Sequence, residues 1–536
     1  MDDFRFRTED IRPDEIQQFF VSTQLDTEII NALKSLNPII LEGSRGTGKS
    51  FLLKMAEKQL NDEFHEKHIL PVYLTFVASS LIHTDDPQQF QSWMLASICY
   101  HLLRALRKKG LLIGTSPATA LLSRSQEDTE SLEKKFSSLH QAYESSYNSK
   151  TKIDSSEIPN IENLKDAIEE ICEEANIQRI CFLFDEAVHI FRPEQQRQFF
   201  TLFRDLRSPY ISCKAAVYPG VTSYGNTFEM THDATLLRIE RDILSEEYLA
   251  SMKELVFRQA DEKLKEAINR NMMNFNILAY SSSGNPRILL KTIARCPKMK
   301  TEDVNNVIKQ YYRSDIWTEH TSLGYKYKKG HKNIVDWGRN FVETQVLPAT
   351  KEKNDKRAEH NESTCYFWIH KDVPETVKEA IRLLEYTGIV RKEKEAVRAT
   401  GSGVGTRYEI KFGCVLALEN SPLQKGLDIA KTLKISRVTE YGMKNPLFND
   451  LSFDIEGESE SALKEILDRL LEESIDILDL SNWQREKLKA HNLITLRQVL
   501  NTTENQMIET MTYVGEKRAR RIRNAALAEI LEYLSG

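Results

Sequence analysis

Long hydrophobic runs are missing from this chain. No stretch approaches the ~20 consecutive apolar residues that a membrane-crossing helix needs, so a helical membrane protein is excluded. The first residues, Met1 to Arg12, are charged rather than apolar, so no secretory leader is expected and the expected location is cytoplasmic. Cysteine is sparse and scattered. Cys99, Cys172, Cys181, Cys213, Cys296, Cys365 and Cys414 form no C-x-x-C pair, and several sit inside apolar runs, the pattern of reduced core thiols. Neither zinc nor disulfides are expected. An excess of one charge is also lacking, with 73 Lys and Arg against 79 Asp and Glu and a net charge of -6. That balance argues against a chain that coats nucleic acid along its whole surface, while leaving local basic patches open. No repeat of about 20–50 residues marks a solenoid or sensor array, and no nuclease, protease or deaminase constellation is visible. At 536 residues the chain exceeds a single core, and roughly three or four domains are expected.

What is present is phosphate chemistry. Residues 43–50 read Gly43-Ser44-Arg45-Gly46-Thr47-Gly48-Lys49-Ser50, the spacing G-x-x-x-x-G-K-S, set between the apolar run Pro38-Ile39-Ile40-Leu41 and a helix-forming stretch from Phe51 to Leu60. A strand feeding a glycine-rich turn into a helix start presents backbone N–H groups and the positive end of the helix dipole to a polyphosphate. In that setting Lys49 would neutralise the β- and γ-phosphates of ATP and Ser50 would hold Mg²⁺. A chance glycine turn ending in Lys-Ser explains the letters but not both flanks.

The surrounding pattern alternates strand and helix. Upstream, Asp14 to Phe20 and Thr27 to Leu36 have helical apolar spacing; downstream, Leu70 to Phe76 predicts a second strand and Pro87 to Arg107 a long helix. Residues 110–160 turn rich in Ser, Thr, Gln and charge, with a helix expected near Glu127 to Tyr147, and are expected to form an insertion or a mobile excursion. After a helix from Ile161 to Ala175 comes Ile180-Cys181-Phe182-Leu183-Phe184-Asp185-Glu186, an apolar strand ending in two acids. In a phosphoryl-transfer site Asp185 would hold the Mg²⁺ shell and Glu186 would orient and deprotonate the attacking water; taken alone, the pair could equally point to solvent. A helix from Glu194 to Arg207 precedes the strand Cys213 to Tyr218, followed by Thr222 and Ser223, which could sense a γ-phosphate or simply complete a Pro-Gly turn. Leu236 to Glu240 predicts the last strand. Arg204, Arg207, Arg238 and Arg241 are candidates for an arginine finger reaching across a subunit interface. Ser283-Gly284-Asn285-Pro286-Arg287 then opens the apolar helix Ile288 to Ile293.

The order P-loop, Asp-Glu strand, polar-ended strand and Gly-Asn-Pro-Arg resembles the AAA+ ATPases, especially the origin-recognition (replication-initiator) type and the related signalling STAND ATPases, over about residues 10–300. The missing repeat array favours the initiator-like branch. The resemblance implies a nucleotide-binding core over residues 1–240, a helical lid over 241–320 in which Arg287 acts as the second sensor, ATP-controlled closure of that lid, and nucleotide-dependent homo-oligomers.

Two further modules are expected. Tyr325 to Lys332 is basic with interleaved aromatics; a helix from Asn333 to Thr344, a strand Tyr366 to His370, a helix Pro374 to Tyr386 and a basic hairpin around Gly401 to Gly405 follow. Residues 321–420 resemble a winged helix, with Arg398 and Arg407 as candidate DNA contacts and protein docking as the alternative role. Residues 421–472 are expected to be a connector carrying one helix from Ala462 to Glu472. Residues 473–536 resemble the C-terminal domain of the bacterial RNA polymerase α subunit, with paired helix-hairpin-helix elements carried by Leu-x-Leu-Ser, Asn-Leu-Ile-Thr-Leu and Val-Gly-Glu-Lys. That likeness implies phosphate contacts from the turn at Gly515 and from Lys517, Arg518, Arg520 and Arg521; Tyr513 departs from it, standing where many such motifs carry their first glycine.

The expected protein is thus a multidomain α/β chain: an AAA+ core with a parallel sheet between helices, a lid, a winged helix and an all-helical C-terminal domain. Its expected role is that of a cytoplasmic, bacterial ATPase using ATP and Mg²⁺ and coupling nucleotide state to duplex DNA, with any further chemistry supplied by a protein partner. The alternative is a nucleotide-switched interaction protein whose small domains dock proteins. No residue supports a specific role in defence or mobile-element biology.

Overall fold

The computed structural model describes residues 4–5, 8, 11–76, 87–111, 116–123, 128–145, 153–186, 193–326, 329–400, 403–451, 471–478, 480–502, 504–515, 518–519, 521–523 and 525–526. The chain divides into two compact units, Met1–Val307 and Ile308–Gly536.

The first unit is built on five strands: β1 (Ile39–Glu42), β2 (Ile69–Thr75), β3 (Arg179–Asp185), β4 (Ile211–Val217) and β5 (Thr235–Arg238). All pair in parallel, in the order β2-β3-β4-β1-β5. Alternate residues of these strands feed two separate cores, as the period-2 geometry of a strand requires. Ile39, Leu41, Cys181, Leu183 and Ala216 pack with helices α1 (Gln24–Lys34) and α2 (Lys49–Asp62) on one face. Ile40, Val72, Leu74, Phe182, Phe184 and Ala215 face the other core, which includes residues of α3 (Pro87–Lys108) and α4 (Thr129–Ser145). A sheet apolar on both faces must lie between helical layers. One cation is buried within it: Lys214 on β4 donates to the carbonyls of Ser35, at 2.7 Å, and Asn37, and its burial lowers its pKa to about 8. Those bonds tie the end of α1 to the sheet.

The polar stretch expected as an insertion supplies part of this core. Ala118, Leu122, Leu132, Phe136 and Tyr143 are buried in the same apolar core as residues of α3. Apolar residues there are spaced at helical intervals within Ser-rich sequence, which dilutes their signal without removing the buried face.

The first unit also contains the helices expected as a lid, among them Tyr248–Phe257, Met272–Ser281 and α5 (Pro286–Arg295). The boundary between units falls at residue 307, ahead of the expected lid end at 320.

In the second unit, α6 (Lys329–Phe341) continues through the π-turn Val342–Val346 into the helix Leu347–Arg357. Strand β6 (Tyr366–His370), helix α7 (Glu375–Thr387), β7 (Val390–Arg398) and β8 (Val404–Ile410) follow in the expected order. The sheet does not stop there. Part of the region expected as connector, 421–472, adds the helix Pro422–Lys431 and strand β9 (Thr439–Tyr441), which pairs in parallel with β6 to give the order β7-β8-β6-β9. Three residues are too few to carry a strand period. The helix expected from 462 to 472 lies almost wholly outside the described residues. Residues 471–526 gather a separate apolar core from Leu471, Ile475, Leu488, Leu496, Val499, Met507, Met511 and Ile522. Capping boxes at Ser481/Gln484 and Thr495/Gln498 start two of its helices, α8 (Asn482–Ala490) and Leu496–Asn501. Among the described residues no helix is long and apolar enough to cross a membrane.

Phe136→Ala tests the placement of α4. A buried aromatic of the main core should lose about 3–5 kcal/mol in chemical denaturation, whereas a residue on a peripheral excursion would change stability by less than about 0.5 kcal/mol.

Candidate functional site

Strand β1 delivers the chain into the loop 43–48, and α2 begins at Lys49. Gly46 and Gly48 hold φ of 83° and 104°, the left-handed region that glycine enters without strain. Gly46 is constrained twice, because a Cβ there would lie 2.9 Å from both Arg287 Cβ and Asn285 Oδ1.

The carbonyls of this loop are held one after another by protein donors. Lys49 Nζ donates to Gly43 O at 2.5 Å and Ser44 O at 3.3 Å, and Thr47 Oγ1 also reaches Ser44 O at 2.9 Å. Asn285 Nδ2 donates to Arg45 O at 2.8 Å, Arg287 N to Gly46 O at 3.5 Å, and Arg241 to Thr47 O at 3.0 Å. Among the described residues, the N–H groups of Gly46, Gly48, Lys49 and Ser50 donate to no protein acceptor. A loop with its carbonyls bound and its N–H groups available at a helix N-terminus has the polarity of an anion site.

The acids arrive on β3. Asp185 is buried, accepting from Tyr73 Oη at 2.5 Å and from the backbone N–H of Glu186 at 3.0 Å. Glu186 takes a left-handed φ of 46° just past the strand. Lys49 is the electrostatic centre of the group. Burial lowers its pKa to about 7; the charges of Asp185 and Glu186 work to raise it, and those of Arg287 and Arg45 to lower it further. Its ammonium also lies 3.9 Å from the Tyr218 ring centroid. Lys49, Asp185, Glu186 and Arg287, far apart in sequence, therefore share one site, and a cleft lined by the loop also takes in Phe20, Val21, Leu255 and Leu290.

Mg²⁺ suits this donor set. Among the described residues no cluster of three or more His, Cys, Asp or Glu could enclose a metal ion, and Mg²⁺ bound through nucleotide phosphates needs only one or two protein oxygens, such as Ser50 and Asp185 would supply.

The contacts of several residues escaped sequence reasoning. Asn285 uses both ends of its amide, Oδ1 accepting from Ile288 N at 3.2 Å to cap α5 while Nδ2 holds the loop. Arg241, considered for a neighbouring subunit's site, is turned into its own: it pairs with Asp26 at 2.9 Å as well as binding Thr47 O. Its neighbour Gly284, at φ 73°, leaves no room for a Cβ, which would meet Arg241 at 2.7 Å. Tyr73 carries no sequence signal, since nothing in a strand pattern says which residue faces the end of the next strand. Thr222 Oγ1 donates to Tyr218 O at 2.6 Å, and Ser223 is bonded through its N–H to Gln196 at 2.6 Å, so both take part in turn bonding. Of the other arginines, Arg204 bonds Asp205 and Arg238 bonds Glu42, whereas Arg207 is exposed.

In the second unit the charges are less available than the sequence suggests. Arg407 pairs with Glu393 at 2.5 Å across the β7–β8 hairpin, Arg391 with Glu409, and Lys392 with Glu395 at 2.8 Å, while Arg398 is exposed near the tip. Helix α7 is no exposed reading head: Val377, Ala380, Ile381, Leu383 and Leu384 are buried, and so are Glu375 and Glu385. In the C-terminal region Arg518 and Ala519 donate their N–H groups to Gly515 O at 2.9 and 3.0 Å, starting a helix there. Arg518 and Arg521 are exposed. Lys517 and Arg520 lie outside the described residues, as do Tyr327 and Lys328 of the expected basic patch.

Residues 4–243 match the ORC-CDC6-like family model. No curated protein matches the chain significantly. Among solved structures the chain is similar to the Aeropyrum pernix ORC1 protein in complex with DNA, at 14% identity and a TM-score of 0.32, with 77% of this chain and 96% of that one covered. It is also similar to the Aeropyrum pernix ORC2 protein (ADPNP-ADP complexes), at 9% identity and a TM-score of 0.34, covering 77% and 98%. At those scores neither likeness bears on the site.

The loop clamp can be separated from the helix cap. Asn285→Ala removes both and should cost about 2 kcal/mol. Asn285→Asp keeps a good cap but turns an acceptor toward Arg45 O, so thermal denaturation should show it destabilised by about 1–3 kcal/mol. An Asp variant as stable as the parent would mean that the clamp contributes nothing.

Proposed function

We propose that this chain is an ATP-hydrolysing AAA+ protein of the initiator-like type that couples its nucleotide state to binding of duplex DNA. The observation that carries the reading is the grouping of Lys49, Asp185, Glu186 and Arg287 around a loop whose carbonyls are bound while the N–H groups of Gly46, Gly48, Lys49 and Ser50 donate to no described protein acceptor. The family match over residues 4–243 supports it.

In this reading the loop N–H groups and Lys49 bind the phosphates, and Arg287 meets them from the lid. Mg²⁺, when bound, would neutralise charge on the transferring phosphoryl group. Asp185, oriented by Tyr73, and Ser50 would be its protein oxygens. Glu186 would accept the proton of the attacking water. Because α5 hangs on the loop through Asn285 and Arg287, occupancy of the loop would be transmitted to the lid helices.

For the DNA end we read the second unit as a winged helix followed by a helix-hairpin-helix element. The hairpin tip at Arg398 and the turn at Gly515, with Arg518 and Arg521, would contact phosphates; α7 would not enter a groove. The neutralised hairpin favours a second reading for that sheet, docking of a protein, because Arg391 and Arg407 already have carboxylate partners. Assembly into nucleotide-dependent oligomers, with Arg207 as the available finger, belongs to the same proposal.

The deciding experiment is ATPase rate against duplex concentration at two salt strengths. Glu186→Gln should bind ATP yet lose about 10²–10⁴-fold in turnover. Reversing Arg398 and Arg521 to Glu should weaken duplex binding and flatten its salt dependence. Turnover indifferent to DNA, with no duplex binding by the ATP-trapped Glu186→Gln protein, would remove the DNA coupling and leave the protein-docking reading.

A further inference from the structure

The C-terminal region exposes two aromatic rings that its apolar core does not use. Trp483, in the first turn of α8, is 40% exposed, and Tyr513, in the turn before the last helix, is 80% exposed. Two cations sit among them. Lys487 Nζ, one helical turn beyond Trp483, lies 5.8 Å from the Trp483 ring centroid and 5.9 Å from that of Tyr513, and donates to Thr512 Oγ1 at 3.3 Å. The Arg518 guanidinium lies 5.0 Å from the Trp483 ring and donates to Tyr513 O at 2.6 Å. No carboxylate among the described residues pairs with either cation. The four residues therefore form one connected patch, positively charged and faced with flat rings.

The backbone makes the second observation. Tyr513 holds φ of 68°, left-handed and non-glycine. Such a conformation costs roughly 1–2 kcal/mol for an L-residue with a Cβ. Glycine would make the same turn without strain, and strained residues of this kind persist where the side chain has a use. Here that side chain is an exposed phenol beside a lysine.

We propose that Trp483, Lys487, Tyr513 and Arg518 form a binding platform for single-stranded nucleic acid, with the rings stacking unpaired bases and the cations holding the adjoining phosphates. Planar exposed rings select the single strand, because in a duplex the faces of the bases are covered by one another. Cations alone would bind any polyanion equally. This site shares Arg518 with the phosphate contacts proposed for duplex DNA but adds ring faces that a duplex cannot engage, and it needs no nucleotide.

The test uses the full chain without ATP. Of the five tryptophans, Trp93, Trp317 and Trp368 are buried and Trp337 is half-buried, so quenching by an added base reports on Trp483. Oligodeoxythymidylate should quench the emission. Trp483→Phe should abolish the quench while keeping most of the affinity, and Tyr513→Gly, which relaxes the turn and cannot unfold it by strain, should weaken binding roughly tenfold with no loss of thermal stability. Unchanged affinity in Tyr513→Gly, or equal quenching by a duplex of the same length or by inorganic polyphosphate, would overturn the platform. The substitutions at Trp483 and Tyr513 leave Glu186, Arg398 and Arg521 in place, so the platform and the duplex-coupled ATPase are tested by different variants and different ligands.

Discussion

The functional core of this molecule depends on the hydrogen bonds that hold the carbonyls of residues 43–47. A glycine-rich loop in isolation has as many acceptors as donors and no reason to favour an anion. Lys49, Asn285, Arg287 and Arg241 supply that reason by turning the acceptors toward protein donors. The remaining N–H groups then add to the dipole of α2, and the site becomes positive before any ligand arrives. Lys49 is part of the arrangement and also under stress from it, for burial holds its pKa near 7 against the pull of Asp185 and Glu186. A polyphosphate entering the loop would offer that ammonium better acceptors than two backbone carbonyls.

The same bonds decide what a shift of the loop would move. Asn285 caps α5 with one end of its amide and grips the loop with the other, and Tyr248 braces the preceding turn by accepting from Gly284 N and donating to Ala279 O. A shift in the loop therefore moves a helix start rather than a lone side chain. Arg241 closes the other side, linking the loop to Asp26 at the start of α1. Three elements distant in sequence meet on a few consecutive carbonyls, so in the proposed reading ligand binding would have a mechanical path into α5 without any long-range network.

The sequence made the strand ends legible and left their neighbours dark. The P-loop, the Asp185-Glu186 pair and the helix starting at Pro286 could be placed because each couples a chemical pattern to a change of backbone period. The five parallel strands followed from buried apolar runs separated by helical ones. Tyr73 and Tyr218 could not be found, because their roles depend on strand order: β4 lies between β1 and β3, and only that order decides which side chains face Lys49 and Asp185. Arg241 could not be placed for a related reason, since an arginine after a strand looks the same whether it turns inward or across an interface. The stretch 117–145 hid its buried face behind serines, and β9 was too short to show a period.

Charge was the least transferable signal. The hairpin residues 391–411 read as basic, yet the carboxylates that neutralise Arg391 and Arg407 lie on the same two strands, Glu409 and Glu393, positioned by cross-strand geometry that composition does not express. In the C-terminal region Lys487 and Arg518 lie against aromatic rings, and among the described residues no acid pairs with them. A cation against a ring remains attractive to an anion, because the ring's quadrupole does not cancel its charge, whereas a paired cation must first give up its carboxylate. By that reasoning the polyanion binding proposed for the second unit would rest less on the longer basic hairpin than on the shorter helical region.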